Sequence, residues 1–144
     1  MKISQKADYA LRAMLDLALN ARKGMSVPTS QIARRARVPE KFLEAILVDL
    51  RKAGLVSSRR GPEGGHQLSR AAELVTLGQI RTAVDGPLKM AERARRRPDD
   101  PVDAGLRAAW DEVEGGIREV LERQSLAEIC RRVDAARRVP DFNI

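Results

Sequence analysis

Cysteine and histidine occur once each in the 144 residues. A single cysteine rules out an intramolecular disulfide framework, a four-cysteine zinc site and an all-cysteine iron–sulfur site within one chain. A single histidine rules out a histidine-rich metal site and leaves little room for a hydrolase constellation. Aromatic residues make up only 3% of the chain. Aliphatic side chains must therefore do nearly all the packing, which favours helices. Apolar runs are a few residues long, too short to span a bilayer, so no membrane partner is expected. The segment after Met1-Lys2 is broken by Lys6, Asp8, Arg12 and Asp16. It has no apolar h-region and so no secretory signal, which makes a reducing cytoplasm the expected compartment.

What the chain does have is a 43% hydrophobic content and a net charge of +7, from 27 basic and 20 acidic residues. The first is enough for a core without a metal or disulfide staple, in one domain with room for an appended helix. The charge is unevenly spread. Residues 1–88 hold 15 Lys+Arg against 8 Asp+Glu, whereas residues 89–144 hold 12 of each. All the excess is N-terminal, the pattern of a polyanion-binding domain joined to a neutral interaction module. A generally arginine-rich composition is the plainer reading of the same numbers.

Periodicity places the elements. From Ser4, a good N-cap, to Ala21, apolar residues recur at Ala7, Leu11, Met14, Leu15 and Ala18, the spacing of a helix that stops before Gly24. Pro28-Thr29-Ser30 opens a second, short helix with Ile32, Ala33 and Ala36 inward. Its cap is either Thr29 or Pro28, three residues ahead of Gln31. After a break at Arg37-Val38, a third helix runs from Pro39 to about Ala53, with Phe42, Leu43, Ile46, Leu47 and Leu50 on one apolar face, and Gly54 ends it. Residues 55–60 and 66–69 read as two short strands joined by the turn Gly61-Pro62-Glu63-Gly64-Gly65. Thr76 caps a helix to about Val84, with Leu77, Ile80 and Val84 inward. An arginine-rich loop follows at 89–103. A long helix comes next, and Ser125-Leu126-Ala127-Glu128 reads as a capping box opening the last helix.

Two short helices followed by a two-stranded hairpin form a winged helix-turn-helix. The fold class is mainly α with a small β-hairpin, plus a long C-terminal helix. The expected division is 1–88 for DNA binding, 89–103 for the loop and 104–144 for dimerisation. In such a fold the third helix buries its apolar face and offers its outer, N-terminal residues to a major groove. The hairpin carries Arg59 and Arg60 toward a phosphate or a minor groove, and its glycines let the turn approach the duplex closely. The residues expected to meet DNA are Thr29, Ser30 and Gln31 at the start of the second helix, Lys41, Glu44, Ala45 and Arg51 on the third, and Arg59, Arg60, Gly64 and His66 in the wing. On the long helix Leu106, Trp110, Val113, Ile117 and Val120 recur at alternating four and three residues, a heptad seam for self-association. Gly116 lies beside that seam. With Gly115 it implies a kink or a close crossing between subunits, at a cost of about 1 kcal/mol per glycine relative to alanine.

These residues carry a resemblance. The run Ala7-Asp8-Tyr9-Ala10-Leu11-Arg12-Ala13-Met14-Leu15-Asp16-Leu17-Ala18 resembles the N-terminal signature of the Rrf2 family of bacterial transcription regulators, the IscR, NsrR and CymR type. Phe42-Leu43-Glu44, Leu50-Arg51-Lys52-Ala53-Gly54-Leu55-Val56, Arg60-Gly61-Pro62-Glu63-Gly64-Gly65 and Thr76-Leu77-Gly78-Gln79-Ile80 match it in order and spacing. The match covers residues 1–88, and beyond them only the plan agrees. The resemblance implies a homodimer on a pseudo-palindromic double-stranded operator, usually a repressor. Glu44 then corresponds to the family's major-groove base reader, Arg60 to the wing arginine that enters the minor groove, and Lys41 to a base or phosphate contact. Ala45 stands where many members carry a base-contacting glutamine, so the operator sequence should differ.

Many members hold an iron–sulfur cluster through three cysteines before the dimerisation helix. Residues 89–105 contain none, so the chain resembles the cluster-less branch and no cofactor is expected. Asp8 lies where some relatives supply a carboxylate ligand. Without thiolates it cannot hold a cluster, and an acid early in a helix gains about 0.3–1 kcal/mol from the helix dipole. Arg93, Arg95, Arg96 and Arg97 replace the cysteine loop. They suit a small anionic effector or DNA phosphate, and equally a solvated loop. Cys130, with Leu126 and Val133 as apolar neighbours, reads as a packed hydrophobe ahead of a redox switch. His66 reads as wing packing ahead of a pH or metal role.

No nucleophile–base spacing, phosphate-cradling loop or metal triad supports an enzyme. The alternative to a DNA-binding regulator is a protein-interaction module recruiting a metabolic enzyme or another partner protein.

Overall fold

The computed structural model describes residues 2–20, 24–90 and 99–140. Helix α1 (Gln5–Asn20) starts where Ser4 Oγ accepts the Ala7 amide at 2.9 Å, so Ser4 is the cap. Helices α2 (Thr29–Ala36), α3 (Glu40–Lys52), α4 (Leu77–Asp85) and α6 (Leu126–Arg138) complete the packed body with α1. Four of them touch or surround α1, which packs against α2, α3, α4 and α6. That crowding rotates the buried stripe of α1 away from the expected one. Ala10, Ala13 and Leu17 are fully covered beside Ala7 and Met14, while Leu11, Leu15 and Ala18 are half-buried. Small alanines let neighbouring backbones come close, and apolar periodicity weighted by side-chain size does not register them.

The cap of α2 is Pro28, with no side-chain hydrogen bond, so Thr29 is not a cap. Arg37 ends α2 in the left-handed region (φ 57°, ψ 47°) and donates its amide to the Ala33 carbonyl, which turns the chain sharply into buried Val38 and then α3, capped by Pro39. Strands β1 (Val56–Arg59) and β2 (Gly65–Leu68) pair antiparallel, with Val56 opposite Leu68 and Arg59 opposite Gly65. Val27, just ahead of α2, pairs with His66 through two 2.8 Å backbone bonds and ties the wing to the helix-turn-helix. A 3-10 turn, Ala72–Leu74, leads into α4. There Thr76 and Gln79 form a reciprocal capping box with both bonds at 3.1 Å.

Helix α5 (Pro101–Arg123) is capped by Asp100, so it starts inside the stretch expected to be loop, and it runs unbroken through Gly115 and Gly116. At α6 the expected capping box is half made. Ser125 accepts the Glu128 amide, but the Glu128 carboxylate turns to Arg131 at 2.6 Å, where a charge-assisted bond outcompetes the neutral cap amide. Thr76 and Ser125 are bridged, and Leu126 is fully buried in the same core as Met14, Leu17, Ile32, Leu43, Ile46, Leu47, Leu50 and Ile80. Among the described residues no helix is long and apolar enough to cross a membrane.

Candidate nucleic-acid interface

Helix α3 buries Leu43, Ile46, Leu47 and Leu50, which leaves Lys41, Glu44 and Ala45 exposed on its first two turns, as their spacing requires. Phe42 departs from the expectation. The helical spacing puts it with the core face, yet it is 49% exposed. One position before Leu43, it falls on the flank of the buried stripe, and it packs sideways on Tyr9 of α1 with centroids 6.4 Å apart.

The wing is held close to the start of α2. His66 is the reason. Its Nε2 lies 2.9 Å from Thr29 Oγ1 and its Nδ1 lies 2.8 Å from Ser58 Oγ, so one ring links α2 to both strands. Burial, and next the positive charge of Arg51, hold its pKa below the ordinary value, so the neutral ring is favoured there. Gly64 and Gly65 close the turn. A Cβ on Gly64 would strike the Arg59 carbonyl, and one on Gly65 would strike the Val27 backbone.

The result is an open groove of about 450 Å³ into which Thr29, Arg51, Arg59, Arg60, Gly64 and His66 all face. Arg51 near the end of α3 and Arg59 and Arg60 of the wing thus line one surface with the α2 N-terminus, an arrangement suited to phosphate. Six of the residues expected to meet DNA are brought together there. Lys41 and Ala45 lie instead on a second, smaller notch with Phe42 and Tyr9. Glu44 and Ser30 are exposed and Gln31 half-exposed, and none of the three lines either concavity.

The α5 seam is uncovered in the single chain. Leu106, Trp110, Val113 and Val120 are each 43–46% exposed and Ile117 is half-buried. Gly116 is exposed, and a Cβ there would meet nothing within 4 Å. The arginines at 93 and 95–97 lie outside the described residues.

A model for the Rrf2 family, described as an iron-dependent transcriptional regulator, matches residues 3–132. The chain belongs to the Rrf2 family. An IscR transcriptional regulator of Erwinia tasmaniensis is 34% identical over 133 residues, covering 90% of this chain and 78% of the relative. Among solved structures, CymR, the global cysteine regulator of B. subtilis, superposes with a TM-score of 0.76 at 30% identity, covering 92% of this chain and 98% of its own. T. potens IscR superposes at 0.77 and 31%, covering 99% and 95%. The mainly helical winged fold read from the sequence is that of these regulators, and this Rrf2 protein is a transcriptional regulator, not an enzyme.

The iron dependence in the family description calls for donors, and the described residues do not fit. Among the described residues no group of three or more His, Cys, Asp or Glu side chains could hold a metal. The one cysteine, Cys130, is half-buried in α6, its thiol pushed up by burial and by the carboxylates of Asp134 and Glu73. Both nitrogens of His66 are already engaged, and Asp8 pairs with Arg12 at 2.9 Å. The raised thiol pKa also speaks for a packed cysteine rather than a reactive one.

Sequence reasoning missed two features. Asp16, buried at 5% exposure, is bound by Arg35, and Tyr9 props Phe42. An acid between Leu15 and Leu17 on a tightly packed helix was a signal for the first. Its partner on another helix had none.

Proposed function

We propose that this Rrf2 protein is a sequence-specific DNA-binding regulator. In this reading it represses from a pseudo-palindromic operator as a homodimer and needs no iron–sulfur cluster. The DNA-binding unit is residues 1–88, and residues 104–144 serve dimerisation through the exposed α5 seam. The observation that carries the reading is the groove in which Arg51, Arg59 and Arg60 meet the start of α2; Lys41 and Glu44 are exposed on the first turns of the helix that supplies Arg51. Lys41 and Glu44 reach base edges, a carboxylate accepting from a cytosine amino group, while the wing arginines take phosphates or the minor groove. The N-terminal location of the excess charge supports the same face.

The test is a gel shift of the purified protein on the DNA upstream of its own gene, with competitor DNA and a salt series. A specific complex whose affinity falls by orders of magnitude between low and moderate salt is expected, with loss of binding in Arg60→Ala and loss of sequence preference in Glu44→Ala. Salt-independent binding, or unchanged binding in both variants, overturns the reading in favour of a protein partner.

A further inference from the structure

The first turns of α3 hold an apolar feature that the groove leaves unused. Phe42 and Ala45, three residues apart on the helix and both exposed, wall a notch of about 210 Å³ that Tyr9 and Gln5 of α1 close from the side. Phe42 is one of four aromatic residues in the whole chain, and half of it stands in water. It is held nonetheless. Tyr9 stacks on it, Gln5 Nε2 donates to the Tyr9 hydroxyl at 2.9 Å, and the Lys41 ammonium sits 5.0 Å from the ring centroid. A ring fixed in advance loses little rotamer freedom on binding. Lys41 supplies positive charge at the rim, suited to a phosphate beside the base, while Lys6 there is ion-paired to Asp49 at 2.6 Å.

The occupant follows from chemistry. In the major groove the apolar group that a base offers is the thymine 5-methyl, and alanine and phenylalanine are the side chains that meet it. A glutamine at position 45 would read adenine through its amide, whereas Ala45 has no polar atom to offer. We propose that Phe42 and Ala45 read a thymine methyl in each operator half-site. This rests on the DNA-binding reading above and adds base identity to it. Glu44, between them in sequence, reads a neighbouring cytosine, so the half-site carries both bases.

The test starts by selecting an operator from a random duplex pool with the full chain. Each thymine is then replaced singly by deoxyuridine, which removes one methyl and leaves pairing and hydrogen-bonding edges intact. Affinities are read by fluorescence anisotropy. The wild type is expected to lose roughly fourfold at one thymine per half-site, the cost of returning one methyl to water. Phe42→Ala, with its fold verified by circular dichroism, should lose much of the sensitivity to that replacement, and Ala45→Gln should select a different base there. A wild-type affinity insensitive to every deoxyuridine overturns the inference and leaves DNA binding standing, even if the variants fail to fold. Failure to select any sequence overturns both.

Discussion

Arg35 meets Asp16 edge to edge, its Nε and Nη2 each donating to a separate carboxylate oxygen at 2.9 Å. Asn20 Nδ2 donates to the same carboxylate at 2.9 Å. The acid side chain is 3% exposed and the arginine side chain 31%, so a buried anion is held by a partly exposed arginine. It fastens the C-terminal half of α2 to α1 and so fixes the helix-turn-helix on its support.

The asymmetry of that burial predicts an asymmetry of cost. Arg35→Ala leaves the buried carboxylate with Asn20 as its remaining side-chain donor and should destabilise the chain by about 1–3 kcal/mol. Asp16→Ala releases a guanidinium that can swing into solvent and should cost less. Urea unfolding of both variants and the double variant reads the difference. Equal costs for the two single variants would mean that the pair is solvated.

His66 predicts a pH dependence of stability. Its folded pKa lies below the ordinary 6.5 because of burial and then Arg51, so the unfolded chain takes up the proton first as pH falls. Stability is therefore undiminished above about pH 6.5 and declines below it until the folded ring protonates as well. Melting curves between about pH 7.5 and 5 should show the wild type losing more than His66→Gln over that interval. Parallel curves would show that His66 does not couple to folding.

The wing predicts a graded glycine series. A Cβ on Gly65 runs into the Val27 backbone, and φ there is +151°, so Gly65→Ala must break the paired bonds between Val27 and His66. Gly61, at φ +106°, has open space around it, so a Cβ there would meet only backbone strain. Gly65→Ala should cost about 1–3 kcal/mol, more than Gly61→Ala, and should speed amide exchange at Val27. Unchanged exchange at Val27 would mean that the wing is not anchored there.

These residues also mark what the sequence could disclose. Elements with strong local signals were legible: Ser4 as a cap, the Gly61–Gly65 turn, and the Leu43-Ile46-Leu47-Leu50 face of α3. Six of the eleven expected DNA contacts share one groove because they sit on elements whose order alone defines a winged helix. Contacts decided by tertiary packing were not legible. The rotated face of α1 depends on alanines, whose small size is useful only once neighbouring helices are in place. Phe42 fits the helical period but lies on its flank, where it packs on Tyr9 and stays half exposed. His66 meets Thr29 from 37 positions away, a distance over which no periodicity speaks.

Gly116 separates the fold of the chain from its assembly. A side chain there meets nothing within 4 Å in the single chain, and replacing a helical glycine by leucine should favour the helix by up to about 1 kcal/mol. In a dimer packed along Leu106, Trp110, Val113, Ile117 and Val120, the same leucine sits at a close crossing and pushes the helices apart. Gly116→Leu should therefore raise helicity and thermal stability of the isolated chain while weakening self-association in sedimentation velocity. Trp110→Ala should weaken association with little change in monomer helicity, since α5 buries none of its residues in the single chain. If Gly116→Leu leaves the dimer constant untouched, the seam is not the surface through which two chains meet.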